Sequence, residues 1–235
     1  MWVATATYHP VAHLMSERTK RLYAVGCARL TPRPLPFPLL DEAIEVVEQA
    51  ADGLADEAAV EVVHRAALAV SAECKSRPEG WWSPLHYLAI AAERLAGAAG
   101  QEHARTVPGF LFEALGGKHD RSYPPDDIRE QARRTTVVVF RDVLYHPYRD
   151  TRGRPLRAPR RVRRPPQLLR PTWRTEAVVG LARGMYESRD FGPMPVLADA
   201  LEDAGCTDPD LLGHCRSPGP HVRGCWVVDL ILGKE

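Results

Sequence analysis

The sequence predicts an all-α protein of about eight or nine helices that pack in a bundle-like arrangement. Apolar residues recur at intervals of three and four positions along most of the chain, which is the spacing of one helix face. Ser, Thr, Asp and Pro residues precede these stretches, and Gly or Pro follows them, as is typical of helix starts and ends. These two signals together favour helices over strands.

Each stretch with both signals is a predicted helix. The predicted helices cover residues 17–30, 41–53, 55–74, 84–97, 128–145, 173–189, 193–205, 208–214 and 221–232, with a less regular short helix over residues 110–117. Ser16 and Ser83 are suited to cap orphan backbone amides at two of the starts. Gly53 and Gly205 are suited to the left-handed conformation that ends a helix.

The helix over residues 128–145 is the one with a competing interpretation. Residues 135–140 include β-branched side chains and have strand propensity. Pro124, Pro125, Asp126 and Asp127 precede them, and proline and acidic side chains favour a helix start. Helix is therefore the preferred prediction, and a short strand is the alternative.

Charge and proline content divide the chain into three regions. Residues 149–174 contain ten arginines against one acidic residue, a net charge of +9, whereas the rest of the chain has a net charge of −8. Five prolines in the same segment prevent it from continuing a helix. We therefore expect an N-terminal helical region over residues 1–147, an Arg/Pro-rich linker or long loop over 148–172, and a C-terminal helical region over 173–235.

Several stretches resemble one group of hypothetical proteins that is abundant in planctomycete genomes. The stretches are SERTKRLYAVGCARL (16–30), AIEVVEQAADGLAD (43–56), RDVLYHPYR (141–149), PVLADALEDAGC (195–206) and HCRSPGPHVRGCWVVDLILGK (214–234). The resemblance covers most of the chain. It implies no particular activity, cofactor or catalytic residue.

The C-terminal region contains five donor side chains within twenty residues. They are Cys206, His214, Cys215, His221 and Cys225. Thiolates and imidazoles are preferred ligands of zinc, so zinc binding is one hypothesis for this segment. The spacing contains no CxxC pair, and packing of the cysteines in the core with the histidines at helix ends is the alternative. No other cofactor is predicted.

Catalytic signatures are absent from the sequence. The chain has no GxSxG, GxGxxG or P-loop motif and no HExxH pair, and nothing arranges Cys215 and His221 as nucleophile and base. The sequence therefore favours a non-enzymatic helical interaction or scaffold protein with a protein partner.

A cytoplasmic, soluble protein is expected because of two further observations. No apolar run approaches the roughly 20 residues that a membrane span requires. The first fifteen residues also lack the basic and then apolar order of a secretory signal.

The arginine-rich segment gives a second functional hypothesis, an accessory nucleic-acid-binding protein. Guanidinium groups neutralise phosphates and release counterions, and the candidate residues are Arg157, Arg160, Arg161, Arg163 and Arg164. The alternative is a solvated linker whose charges contact the acidic remainder of the chain.

Binding of duplex DNA and RNA across a salt series separates these two interpretations. If the segment binds polyanions, the full chain binds with a steep salt dependence and a chain without residues 149–172 does not. Equal binding of both chains, or none at low salt, would reject the hypothesis.

Overall fold

The computed structural model describes residues 16–77, 83–97, 107–116, 126–143 and 169–234. Within them the chain is all-α, as predicted, and contains no strand. The α-helices are α1 Glu17–Leu30, α2 Pro38–Ala51, α3 Glu57–Ser76, α4 Pro84–Ala96, α5 Val107–Gly116, α6 Asp126–Val143, α7 Glu176–Ser188, α8 Met194–Asp203, α9 Pro209–Cys215 and α10 Trp226–Leu232. A 3-10 helix, Pro171–Trp173, precedes α7.

The chain forms two compact units, Met1–Phe140 and Arg141–Glu235, and each has a hydrophobic core of its own. The boundary lies near the end of α6, so that Asp142 belongs to the second unit. The fully buried large side chains in the core of the first unit are Leu40, Ile44, Leu88 and Leu111. Those in the core of the second unit are Met194, Leu197, Leu201, Leu211 and Ile231.

The predicted caps of α1 and α4 are present in the structure. Ser16 Oγ accepts a hydrogen bond from the backbone N–H of Thr19 at 3.1 Å, and Ser83 Oγ accepts one from His86 N–H at 3.2 Å. Each bond satisfies one backbone amide that the helix itself leaves without an acceptor. Gly53 has a φ of +71°, the left-handed conformation expected after α2.

Residues 135–140 lie inside α6, so the helical prediction for them is confirmed. The flanking helical sequence overrides the strand propensity of the β-branched side chains. Val139 and Phe140 are buried, and the Phe140 ring makes an edge contact with Tyr23, with ring centroids 6.1 Å apart.

Several predicted helix starts are wrong. Helix α5 begins at Val107 rather than at residue 110. Helix α2 begins at Pro38 rather than Asp41, because proline is well suited to the first helical position. Helix α7 begins at Glu176 behind the cap Thr175, and Trp173 lies in the preceding 3-10 helix.

The wrong start of the last helix has the largest consequence for the site. The last helix begins at Trp226 rather than His221, because Gly224 has a φ of +97° and interrupts the helical path. Residues 221–225 therefore form an irregular segment.

Residues 144–168 lie outside the described residues. They include the predicted end of the helix over 128–145 and most of the predicted linker, together with the arginine-rich residues 149–168. Among the helices that the structure describes, none combines the length and the apolar character needed to cross a lipid bilayer.

Helix α9, which positions His214, begins with a capping side chain whose contribution to stability can be measured. Asp208 Oδ1 accepts hydrogen bonds from the backbone N–H groups of Asp210 and Leu211, at 2.9 and 3.1 Å. Replacing a capping side chain with alanine typically costs about 1 kcal/mol. We expect Asp208→Ala to lower the free energy of unfolding by about that amount in urea titration. Asp203→Ala, at the exposed C-terminal end of α8, is the control and should cause no loss; equal losses in both variants would contradict the capping role.

Candidate metal site

Four potential metal ligands of the second unit converge on one point. Asp142 lies near the C-terminal end of α6, His214 on α9, His221 in the segment between α9 and α10, and Cys225 directly before α10. One donor atom from each side chain lies within 4.8 Å of all the others. Asp142 and Cys225 are buried, and the two histidines are partly buried. The four residues therefore form a candidate metal site enclosed by protein.

The local backbone explains why the last two donors meet. Gly219 and Gly224 adopt φ angles of +66° and +97°, which fold the segment between α9 and α10 into tight turns. Within it, the N–H of Cys225 donates a hydrogen bond to the carbonyl of Val222 at 2.9 Å. His221 and Cys225 are therefore held close together on one side of α9, where His214 is located.

Asp142 accepts three hydrogen bonds at the centre of the site. Its Oδ1 lies 3.1 Å from His214 Nε2 and 2.5 Å from His221 Nδ1. Its Oδ2 accepts a hydrogen bond from the backbone N–H of Val222 at 2.7 Å. Burial raises the pKa of this carboxyl, but the hydrogen bonds from the two histidines lower it more, so that the pKa lies below its usual value. Asp142 is thus a buried carboxylate at neutral pH.

His214 contacts three neighbours through its two ring nitrogens. Nε2 faces Asp142 Oδ1 and lies 3.2 Å from Cys225 Sγ. Nδ1 accepts a hydrogen bond from the indole N–H of Trp226 at 3.0 Å. The His214 ring also contacts those of His221 and Trp226, with centroid distances of 4.9 and 5.1 Å. Both nitrogens of His214 are therefore engaged within the unit.

Cys225 is fully buried, and its thiol is protonated at neutral pH. Burial raises its pKa well above the usual value, and the charge of Asp142 raises it further, against opposing hydrogen bonds from the backbone at Val228 and Val227. A thiol in this environment is a poor nucleophile. A coordinated metal ion removes the thiol proton, so the same side chain is a competent metal ligand.

The donor set suits zinc better than calcium or magnesium. Zinc accepts imidazole nitrogen, thiolate sulfur and carboxylate oxygen, whereas calcium and magnesium require sets composed of oxygen. In addition, the Nε2 atom of His221 is buried and has no hydrogen-bond partner among the described residues. A buried ring nitrogen without a partner is unusual in a purely structural histidine. The residues present therefore fit a zinc ion.

The five side chains expected from the sequence to include zinc ligands separate in the structure. His214, His221 and Cys225 meet at the site, whereas Cys206 and Cys215 lie outside the group of four donors. Cys206 and Cys215 are buried in the hydrophobic core of the second unit, to which Cys225 also belongs. Burial, together with the nearby Cys206, raises the pKa of the Cys215 thiol to about 12. Cys206 and Cys215 are thus packed as apolar side chains, which was the alternative interpretation of the cysteines.

The fourth ligand, Asp142, is absent from the set derived from the sequence. It lies 72 residues before His214, too far for a search based on local spacing. The position of Asp142 among apolar residues of α6 is a signal in the sequence that could have identified it. Asp142 stands three residues after the buried Val139 and between the buried Phe140 and Val143. An acidic residue on an apolar helix face indicates a buried charge that needs a partner.

The nucleic-acid-binding candidates, Arg157 to Arg164, lie outside the described residues.

Comparison of the chain with protein-family models, with curated proteins and with solved structures finds no match. The resemblance to the planctomycete group stays a prediction. A function for the chain is therefore inferred from the site itself.

The hydrogen bonds to Asp142 predict how stability depends on pH in the metal-free protein. Because its pKa is lower in the folded chain, this carboxylate contributes stability above the unfolded value of about 3.9, and the contribution is lost as the pH falls through the folded pKa. Asp142→Asn removes the charge with little change in shape. We expect it to lower the free energy of unfolding by about 1.5–3 kcal/mol at neutral pH, the range for hydrogen bonds to charged groups.

The measurement is urea unfolding of both proteins between pH 2 and 7 with EDTA present. The difference in free energy of unfolding between wild type and Asp142→Asn should become smaller as the pH falls below about 4. Asp203→Asn, at an exposed position of the same unit, should show no such narrowing. A difference that stays constant over this pH range would contradict the assignment of Asp142 as a stabilising carboxylate.

Proposed function

We propose that the second unit is a zinc-binding module, and that the protein is a metal-stabilised helical interaction protein rather than an enzyme. The observation that carries the proposal is the convergence of four zinc-competent donors, Asp142, His214, His221 and Cys225, within 4.8 Å. Three of the donors lie within twelve residues of sequence, and the fourth comes from a different part of the chain. Such a convergence of distant side chains is what a structural metal site requires.

A structural role is favoured over a catalytic one by the number of ligands. Catalytic zinc keeps one coordination position open for water or substrate, and structural zinc has four protein ligands. Here all four donors come from the protein, and the side chain of Asp142 is only 3% exposed. If all four side chains coordinate, a zinc ion here would keep no open position at which to activate water.

Zinc at this site would stabilise the second unit in two ways. It would neutralise the buried carboxylate of Asp142 and the thiolate of Cys225, both of which are otherwise unfavourable in a protein interior. It would also join the end of α6 to α9 and α10, which closes a loop of more than seventy residues. The helical surfaces of the unit would thereby be held in one arrangement for contact with a partner.

Metal analysis of the full chain, purified without chelators, tests the proposal. We expect one zinc ion per chain. After removal with EDTA, added zinc should raise the free energy of unfolding by about 2.7 kcal/mol at a free concentration 100 times the Kd. Cys225→Ala should abolish this zinc-dependent stabilisation.

Cys215→Ala is a matched control, because Cys215 is equally buried in the same unit and lies outside the group of four donors. It should lose stability through the smaller side chain but keep its zinc. Zinc content well below one per chain in the wild type, with no shift in unfolding on addition of zinc, would refute the proposal. The four residues would then be a hydrogen-bonded cluster only.

A further inference from the structure

We infer that Trp226 opposes metal binding by holding His214 in the tautomer that cannot coordinate, and that it thereby lowers the zinc affinity of the site. This inference rests on the proposed zinc site and concerns its regulation. It assigns to Trp226 the role of a positioning residue that contacts a ligand and not the metal.

The hydrogen bond between the two rings determines where the proton of His214 lies. An indole N–H is a donor only, so His214 Nδ1, 3.0 Å from Trp226 Nε1, must present a lone pair to it. The single proton of the neutral imidazole is then on Nε2. That nitrogen faces the Oδ1 of Asp142 and the Sγ of Cys225, at 3.1 and 3.2 Å, and donates toward them.

Coordination requires the opposite arrangement. Because Nε2 is the nitrogen that faces the other ligands, it must present its lone pair to the metal, and the ring proton must move to Nδ1. The ring keeps one proton in both states, while the thiol of Cys225 releases its proton to solvent as the bond between sulfur and metal forms. Nδ1–H and the indole N–H of Trp226 then face each other as two donors, and their hydrogen bond is lost.

In the hydrogen bond between Trp226 and His214, the histidine accepts, whereas a metal-binding histidine usually donates from its second ring nitrogen. A metal-binding histidine normally donates its second ring N–H to a carboxylate, a carbonyl or water, which stabilises the coordinating tautomer. Trp226 instead stabilises the metal-free tautomer. Trp226 is also the first residue of α10 and part of the core of the second unit. Loss of this hydrogen bond therefore removes a contact at the start of α10.

Zinc affinity of Trp226→Phe tests the inference, because phenylalanine keeps an aromatic side chain and removes the donor. The full chain is titrated with Zn²⁺ against a competing chelator after EDTA treatment. We expect the Kd of Trp226→Phe to be about tenfold lower than that of the wild type, which corresponds to about 1.4 kcal/mol. Trp173→Phe makes the same change at another buried tryptophan of the same unit and should leave the Kd unchanged.

A second measurement does not depend on the variant being well folded. Nitrogen-15 NMR of the wild-type histidines should show His214 protonated at Nε2 without zinc and at Nδ1 with zinc. An unchanged or weaker affinity in Trp226→Phe, or protonation at Nδ1 already in the metal-free protein, would overturn the inference while zinc binding itself stands. Absence of zinc binding in all three proteins would overturn the proposed function, and this inference with it.

Discussion

The buried carboxylate of Asp142 accepts hydrogen bonds from two imidazoles and one backbone amide, and the arrangement of the site depends on it. A carboxylate with 3% exposure is tolerated only where donors surround it. His214, His221 and Val222 supply these donors from an α-helix and an irregular segment. Their positions are thus determined by one charge as much as by the hydrophobic core beside them.

The same donors that satisfy Asp142 are the ones a zinc ion would use. A zinc ion would give the second unit another way to satisfy these buried polar groups, by coordination in place of hydrogen bonds among themselves. In the hydrogen-bonded state, the Trp226 indole and the Asp142 carboxylate determine which nitrogen of His214 carries the proton. In the coordinated state, the thiol of Cys225, whose pKa burial raises, would become a thiolate bound to the metal. The balance between the two states would make zinc affinity adjustable by residues that do not touch the metal.

Helices and their caps were largely predictable because their signals are local. Ser16 and Ser83 cap the helices they precede, and residues 135–140 are helical as their flanks indicated. The start of the last helix was not predictable in this way. Val222 and Trp226 have helical spacing, but the same spacing also fits a turn whose side chains contact the core. Gly224 has a positive φ, which interrupts the helix before Trp226. Glycine allows this conformation but does not require it, so the sequence alone could not predict it.

The sequence by itself determined the all-α class and placed three of the four site residues, His214, His221 and Cys225, among the candidate ligands, because helical spacing and donor type are properties of neighbouring residues. Only the tertiary structure decided that Asp142 completes the group and that Cys206 and Cys215 lie outside it. Contacts across more than seventy residues depend on how the residues around Asp142 fold against α9 within the second unit. Local spacing contains no information about such contacts, since the chain between them can take many paths.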